Sequence, residues 1–276
     1  MTITEIKENI IPYIGETSPY ITIPENIIFK GNTIETEIKD WHFENENFPK
    51  LIKQLSSLGS FCLYKLLNDT TKEKIYFLGE KLRVRKLSYK EPTSVTISCE
   101  SNLESNRKGK SYIYVKDTAT GERLYSSEFD YYIITKDAFE QFYQGFHHPE
   151  PVEYHDTSLP ASKIIKNDIP HHFTISTEPF TPAQCKGHFE NYPIVPFIFI
   201  ANCVLKEIFN FLNQENTYEI DSLEGYASQA LPTGIVIHTE VFHQKFLKNL
   251  IYFKCEIKDT SGNSYGIIIL NIKAKN

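Results

Sequence analysis

The tetrapeptide His-Phe-Glu-Asn occurs twice in this chain of 276 residues, at positions 42–45 and 188–191. Each copy precedes a proline and then an apolar stretch, at 51–67 and 197–212, whose hydrophobic residues recur at helical spacing. An internal repeat of this kind indicates two copies of one structural unit in tandem. We therefore predict two equivalent halves, each with a long buried helix that follows a histidine loop.

The segments after each apolar stretch show the alternation and turn signals that are typical of antiparallel strands. Both sets end in a predicted hairpin, with turns at 118–121 and 259–262. A proline-rich, polar segment lies between the halves and predicts a linker. The predicted units are 1–146 and 162–276, with the linker at 147–161. The predicted strands are 26–40, 74–87, 94–98, 110–117, 122–135, 218–229, 234–244, 250–258 and 263–273.

Composition excludes several classes of function. The formal net charge is −6 and the lysines are scattered, so the chain does not predict a nucleic-acid partner. Lys206 and Glu207 interrupt the longest apolar run, and the N-terminus lacks a signal-peptide pattern, so we predict a cytoplasmic protein without a membrane span. The five cysteines are widely spaced, which predicts free thiols and no metal site. No pattern predicts a cofactor.

The loop at 187–196 is the strongest candidate for chemistry. Gly187 gives the backbone room to turn, and Pro193 and Pro196 restrict the loop. Pro196 stands where we predict the start of the helix, because its fixed φ suits the first helical turn. His188 places a titratable imidazole beside a buried helix, where its pKa can be tuned for acid–base catalysis.

The pattern Gly-His-Phe-x-x-x-Pro-x-x-Pro before an apolar helix resembles the motif of the hotdog-fold 3-hydroxyacyl thioester dehydratases. Gly187, His188, Phe189, Pro193 and Pro196 carry this resemblance. It implies an α+β fold of two tandem hotdog units, in which an antiparallel β-sheet wraps each long helix. It also implies that His188 is the catalytic base and that a helix carries an opposing carboxylate.

Two positions differ from the family pattern. Phe197 stands where the family has a glycine that helps to bind the thioester carbonyl, and Asn202 stands where the resemblance places the acid, fourteen residues after the histidine. Asn202 can orient a substrate but cannot deliver a proton. The site predicted by the resemblance therefore contains His188 and Asn202, with Gly187, Pro196 and Phe197 beside the substrate. His42, in the shorter motif at 42–49, is a further catalytic candidate.

The resemblance implies an enzyme that acts on acyl thioesters carried by acyl carrier protein or coenzyme A. The first hypothesis is dehydration, a hydro-lyase reaction, in fatty acid, polyketide or related secondary metabolism, with Asn202 or the opposite half completing the site. A second hypothesis is a thioesterase or an acyl-transfer enzyme with the same fold. A third is a non-catalytic protein that binds an acyl chain or a partner. The resemblance also suggests a homodimer of double hotdogs.

Overall fold

The computed structural model describes residues 6, 8–24, 26–41, 44–67, 71–212, 218–247 and 249–274. The helices that lie wholly within these residues are α1 (Phe48–Leu67), α2 (Lys136–Phe142) and α3 (Phe197–Phe211), and short 3-10 turns lie at Ile11–Tyr13, Asn45–Asn47 and Gln144–Phe146. The strands are β1 (Ile27–Lys30), β2 (Thr33–Lys39), β3 (Ile75–Lys86), β4 (Ser94–Ser105), β5 (Lys108–Asp117), β6 (Arg123–Thr135), β7 (Ser162–Lys166), β8 (His172–Thr177), β9 (Tyr218–Ala227), β10 (Ile237–Leu247), β11 (Leu250–Asp259) and β12 (Ser264–Ala274).

All twelve strands form one antiparallel sheet in the order β1-β2-β4-β5-β6-β3-β9-β12-β11-β10-β8-β7. This order is a mirror image about the β3–β9 pair, so each strand of the first half has a counterpart in the second. Each half contributes six strands and one long helix. The predicted fold, two tandem hotdog units of the α+β class, is confirmed, whereas the boundaries predicted for the two units stay a prediction.

The two halves meet along β3 and β9, which pair from Lys81 opposite Tyr226 to Arg85 opposite Ser222. Val84 and Leu223, at the centre of this seam, have no exposed surface. One hydrophobic core runs beneath both helices and across the seam. Because burial of apolar surface is the main source of folding free energy, a core shared in this way couples the two halves into one body.

The repeated tetrapeptide holds each half on the central strand of the other. The Asn45 side chain donates to the Tyr218 carbonyl at the start of β9 over 2.5 Å. In the second copy, the Phe189 ring packs edge-on against Tyr76 of β3, with 5.5 Å between ring centroids. The first-copy residues His42 and Phe43 lie outside the described residues. The described residues of both copies therefore make contacts between the halves.

Corresponding hairpin turns close both halves with an aspartate. Asp117 accepts hydrogen bonds from the Ala119 N–H and the Thr120 hydroxyl. Asp259, at the matching position, accepts from the backbone N–H groups of Ser261 and Asn263. These side chains satisfy turn donors that the sheet ladder leaves unpaired.

Several details differ from the sequence predictions. The strand predicted at 26–40 is two strands, β1 and β2, because a turn at Gly31, which has φ of +60°, reverses the chain, and β7 and β8 are not among the predicted strands. Strand β4 reaches Ser105 instead of Ser98, because Ser101 is fully buried and bonds Ser111 of β5 at 2.7 Å, which interrupts the apolar alternation. Pro196 is the residue before α3 and has extended geometry, so the helix begins at Phe197.

No helix among the described residues is long and apolar enough to cross a membrane. The five cysteines are buried free thiols.

Candidate functional site

A cavity of about 300 Å³ lies at the seam between the two halves. Both halves contribute to its wall, through α1 and β3 on one side and the His188 loop, α3 and β9 on the other. Exposed residues border its mouth, namely Gly79, Glu80, Ser228 and Gln229. Its apolar wall is formed by Ile52, Phe77, Leu82, Phe129, Ile194, Val195, Phe197, Ile198, Ile200 and Leu231. A concave, largely apolar space with a small number of polar groups is the usual form of a ligand site.

Five side chains form a polar cluster in the wall of this cavity: Glu16, Tyr20, Lys53, Ser56 and His188. The rings of Tyr20 and His188 are 4.8 Å apart between centroids, and the Lys53 ammonium lies 4.4 Å from the centre of the Tyr20 ring. Ser56 is almost one helical turn beyond Lys53 on the same side of α1. Four of the five side chains belong to the first half, so His188 of the second half lies among side chains of the first.

His188 is held in one tautomer by its own loop. Its Nδ1 lies 3.0 Å from the backbone carbonyl of Ile194. Because a carbonyl only accepts hydrogen bonds, Nδ1 carries the proton and Nε2 carries a free lone pair. Burial lowers the pKa of His188 to about 4, and the charge of Lys53 acts in the same direction while the Ile194 bond opposes it. The imidazole is therefore neutral at pH 7 and is available as a base.

Glu16 is the buried carboxyl of the cluster, with 8% of its surface exposed. Its Oε2 atom has no hydrogen-bond partner among the described residues. Burial raises the pKa of Glu16 to about 8, although the nearby Lys53 charge favours ionisation. The same desolvation lowers the pKa of Lys53. At pH 7 the cavity thus holds a protonated carboxyl and a neutral imidazole, which are a potential acid and a potential base.

Gly187 contacts the backbone of the N-terminal segment, residues 15–20, which carries Glu16. Gly187 itself is not among the residues of the cavity wall. Its φ is +85°, and a Cβ at this position would stand 2.6 Å from the Thr17 carbonyl oxygen and 2.8 Å from the Tyr20 nitrogen. The Thr17 N–H donates to the Gly187 carbonyl at 2.7 Å. Glycine is needed here because two backbones approach closely, so this loop glycine acts on the site through the N-terminal segment.

Phe197 lies in the cavity wall, whereas Pro196 does not. The edge of the Phe197 ring rests on bare backbone of β9 and β12, where Cβ atoms on Gly225 and Gly266 would be 2.7 Å and 2.8 Å from ring carbons. The ring therefore lines the cavity without closing it. Pro196 is buried one residue earlier and sets the direction in which α3 begins.

The structure does not bring Asn202 to His188. Asn202 is half-buried on α3 and is absent from the cavity wall, where α1 supplies Lys53 and Ser56 instead. The seam places α1 of the first half in the same cavity wall as His188 of the second, and the catalytic role given to Asn202 by spacing within one half stays a prediction. His42, the other catalytic candidate, lies outside the described residues.

Sequence reasoning missed Glu16, Tyr20, Lys53 and Ser56. Ser56 had a signal, since it lies fourteen residues after His42, as Asn202 does after His188. Exchange of helices between the two halves would have placed it opposite His188. Glu16 had only a weak signal, a carboxylate between Gly15 and Pro19 in a stretch without periodicity. The described residues contain no group of three or more side chains arranged to hold a metal ion.

Comparison with known proteins identifies the fold. No protein-family model matches the sequence, and no curated protein matches it. Among solved structures, the chain is similar to the 12:0-ACP thioesterase from Umbellularia californica, with a TM-score of 0.59, 10% identity, and coverage of 89% of this chain and 95% of that one.

Two further structures share the fold over comparable lengths. An acyl-CoA thioesterase II from Mycobacterium marinum has a TM-score of 0.54 at 8% identity and covers 91% of this chain and 96% of its own. An acyl-ACP thioesterase from Bacteroides thetaiotaomicron has a TM-score of 0.51 at 12% identity, with coverage of 88% and 98%. At these identities the likeness establishes the double hotdog fold over nearly the whole chain.

Proposed function

We propose that this protein is a thioesterase that hydrolyses acyl thioesters of acyl carrier protein or coenzyme A in the seam cavity. The observation that carries the proposal is the neutral His188, whose Nε2 has a free lone pair in the wall of a largely apolar cavity. The apolar wall suits an acyl chain, and the histidine suits activation of water beside the thioester carbonyl. The similar structures named above, all thioesterases, support the same reaction class.

The chemistry requires one base and one water. Nε2 of His188 accepts a proton from water as the water oxygen bonds to the thioester carbonyl carbon. The tetrahedral intermediate then expels the thiolate, which takes up a proton and leaves as the free thiol. The depressed pKa of His188 keeps the base unprotonated over the neutral range. The exclusion of bulk water by the apolar wall strengthens the electrostatic interactions of the cluster with the intermediate.

A second candidate, dehydration of a 3-hydroxyacyl thioester, is favoured by one feature of the same cavity. Dehydration needs a base for the proton next to the carbonyl and an acid for the leaving hydroxyl. His188 and the protonated Glu16 can provide both, although the acid implied by the family resemblance is absent at Asn202. The two reactions give different products, so one assay separates them.

The test incubates the purified protein with acyl-CoA and acyl-ACP substrates of short, medium and long chain, with and without a 3-hydroxyl group. Thiol release is measured with a colorimetric assay, and the products are identified by mass spectrometry. We expect free acid and thiol, and His188→Ala should lower kcat/KM at least about a hundredfold. His155→Ala, in the exposed linker, is the matched control. An enoyl thioester without thiol release would favour dehydration, and acyl binding without turnover would favour the non-catalytic hypothesis.

A further inference from the structure

We propose that Glu16, carried by the N-terminal segment of the first half, is the catalytic acid that works with His188 of the second half. This inference rests on the proposed thioester hydrolysis and names its proton donor. Glu16 lies far from the histidine motif in sequence, and the acid that the resemblance places at Asn202 is not in the site.

The Glu16 carboxyl has an unpaired oxygen at the cavity wall. Only 8% of the Glu16 surface is exposed, yet its Oε2 has no hydrogen-bond partner among the described residues. The side chain borders the cavity. A buried polar atom without a hydrogen bond costs roughly 1 to 3 kcal/mol. A group that keeps this cost in a cavity wall is poised to bond a ligand atom, such as a thioester oxygen or sulfur.

Backbone hydrogen bonds hold the segment on both sides of Glu16. The Gly15 N–H donates to the Ile75 carbonyl of β3 at 2.9 Å, and the Thr17 N–H donates to the Gly187 carbonyl at 2.7 Å. Glu16 therefore lies between two backbone anchors, one on each half of the molecule. Fixed placement of this kind is what a catalytic group needs, since small displacements cost rate.

The charge environment of Glu16 is set by α1, β6 and its own segment. Among the described residues, Lys53 on α1 is the cation that acts on Glu16, and it also acts on His188. Tyr20 on its own segment and Tyr131 on β6 are neutral phenols whose pKa values are raised by burial. Together with His188, these groups leave burial as the dominant influence, and burial keeps Glu16 protonated at neutral pH.

With Glu16 as the acid, the proton transfers of the reaction balance within the cavity. Water adds its oxygen to the carbonyl carbon and gives a proton to Nε2 of His188. As the carbon–sulfur bond breaks, the Glu16 carboxyl gives its proton to the sulfur. The imidazolium returns a proton to the Glu16 carboxylate, either directly or through water. One thioester and one water become one carboxylic acid and one thiol, and both side chains regain their starting states.

The test is the pH profile of kcat/KM for a thioester that the parent hydrolyses, measured for the parent, Glu16→Gln and Glu190→Gln. Glu190→Gln is the control, because this substitution removes an exposed carboxylate of the His188 loop, one that pairs with Lys74. The parent should lose activity above about pH 8, where Glu16 ionises. Glu16→Gln should lower kcat at least about a hundredfold and remove this alkaline limb, since an amide cannot donate the proton. Glu190→Gln should retain both.

Thermal unfolding checks that each variant is folded, and Glu16→Asp provides a second route. A shortened carboxyl still titrates, so we expect reduced kcat with the alkaline limb present. An unchanged kcat and alkaline limb in Glu16→Gln, with the parent active and His188→Ala inactive, would overturn the role of Glu16 and leave the hydrolase intact. A parent without thioester turnover would overturn the proposed function and this inference together.

Discussion

The backbone N–H of Thr17 donates to the carbonyl of Gly187 across 2.7 Å. This bond joins the N-terminal segment of one half to the histidine loop of the other, and it lies one residue from both Glu16 and His188. The glycine of the histidine motif is therefore explained by a contact between halves, because the motif loop must receive a second backbone at close range.

Gly187→Ala tests this contact. The new Cβ would meet the Thr17 carbonyl and would also strain a backbone with φ of +85°. Gly262→Ala is the matched control, since Gly262 has φ of +86° with no neighbour within reach of a Cβ. Both substitutions place an alanine in left-handed backbone, and this shared backbone strain costs roughly 1 to 2 kcal/mol. We expect Gly187→Ala to reduce the free energy of unfolding further and to lower kcat/KM at least about tenfold, while Gly262→Ala keeps activity. Equal effects on both measurements would contradict the contact.

Glu16→Gln should change how stability depends on pH. In the folded protein burial raises the pKa of Glu16 from 4.5 to about 8, so the folded state keeps a proton that the unfolded state loses. The stability this group contributes is present below pH 4.5 and is lost as pH rises towards 8, by up to about 1.4 kcal/mol per pH unit. Glutamine does not titrate, so the variant should gain stability over the parent across this range.

Urea unfolding at several pH values measures the difference. We expect the advantage of Glu16→Gln to grow from about pH 4.5 to about pH 8 and then to level off. Glu190→Gln, which removes an exposed carboxylate, should show no comparable growth. A constant difference between Glu16→Gln and the parent at every pH would mean that Glu16 is solvated.

The sequence predicted the fold well for a physical reason. The repeated tetrapeptide and the two apolar helices are local patterns, and the structure places α1 and α3 within a few residues of the predicted ranges. The mirrored strand order follows once two copies must share one sheet. The prediction of β4 was too short because Ser101 satisfies its hydroxyl with a buried neighbour, which no alternation of apolar residues reveals.

The site could be predicted only in part, because it depends on how the halves meet. His188 was identifiable from its loop and its side chain lies in the cavity wall, whereas its catalytic role stays a prediction. Asn202 was chosen by counting along one half, whereas the seam brings α1 of the other half to the loop. Glu16 could not be found by periodicity, since its placement depends on tertiary contacts with Ile75 and Gly187.

Phe197 should limit the length of the acyl chain that the cavity accepts. Its ring forms part of the cavity wall and rests on Gly225 and Gly266, so Phe197→Ala would open space beside these glycines. We expect kcat/KM for chains longer than the parent's optimum to rise about tenfold relative to shorter ones, the scale of one added methylene contact. Phe211→Ala is the matched control, on the same helix but packed against Phe173.

Chain-length profiles of the two variants and the parent decide this prediction. Binding of free fatty acids, followed by their effect on thermal unfolding, gives a reading that is independent of turnover. If Phe197→Ala and Phe211→Ala both leave the preferred chain length unchanged, the acyl chain does not contact the Phe197 ring.

A crystal structure of the protein with an acyl thioester analogue, in which a methylene replaces the sulfur, tests the central claim most directly. We expect the carbonyl to lie between His188 and Glu16, with its carbon within reach of a water held by Nε2 and its oxygen or the methylene roughly 3 Å from the Glu16 carboxyl. The acyl chain should follow the apolar wall formed by both halves. A carbonyl bound away from His188, or an acyl chain outside the seam cavity, would contradict it.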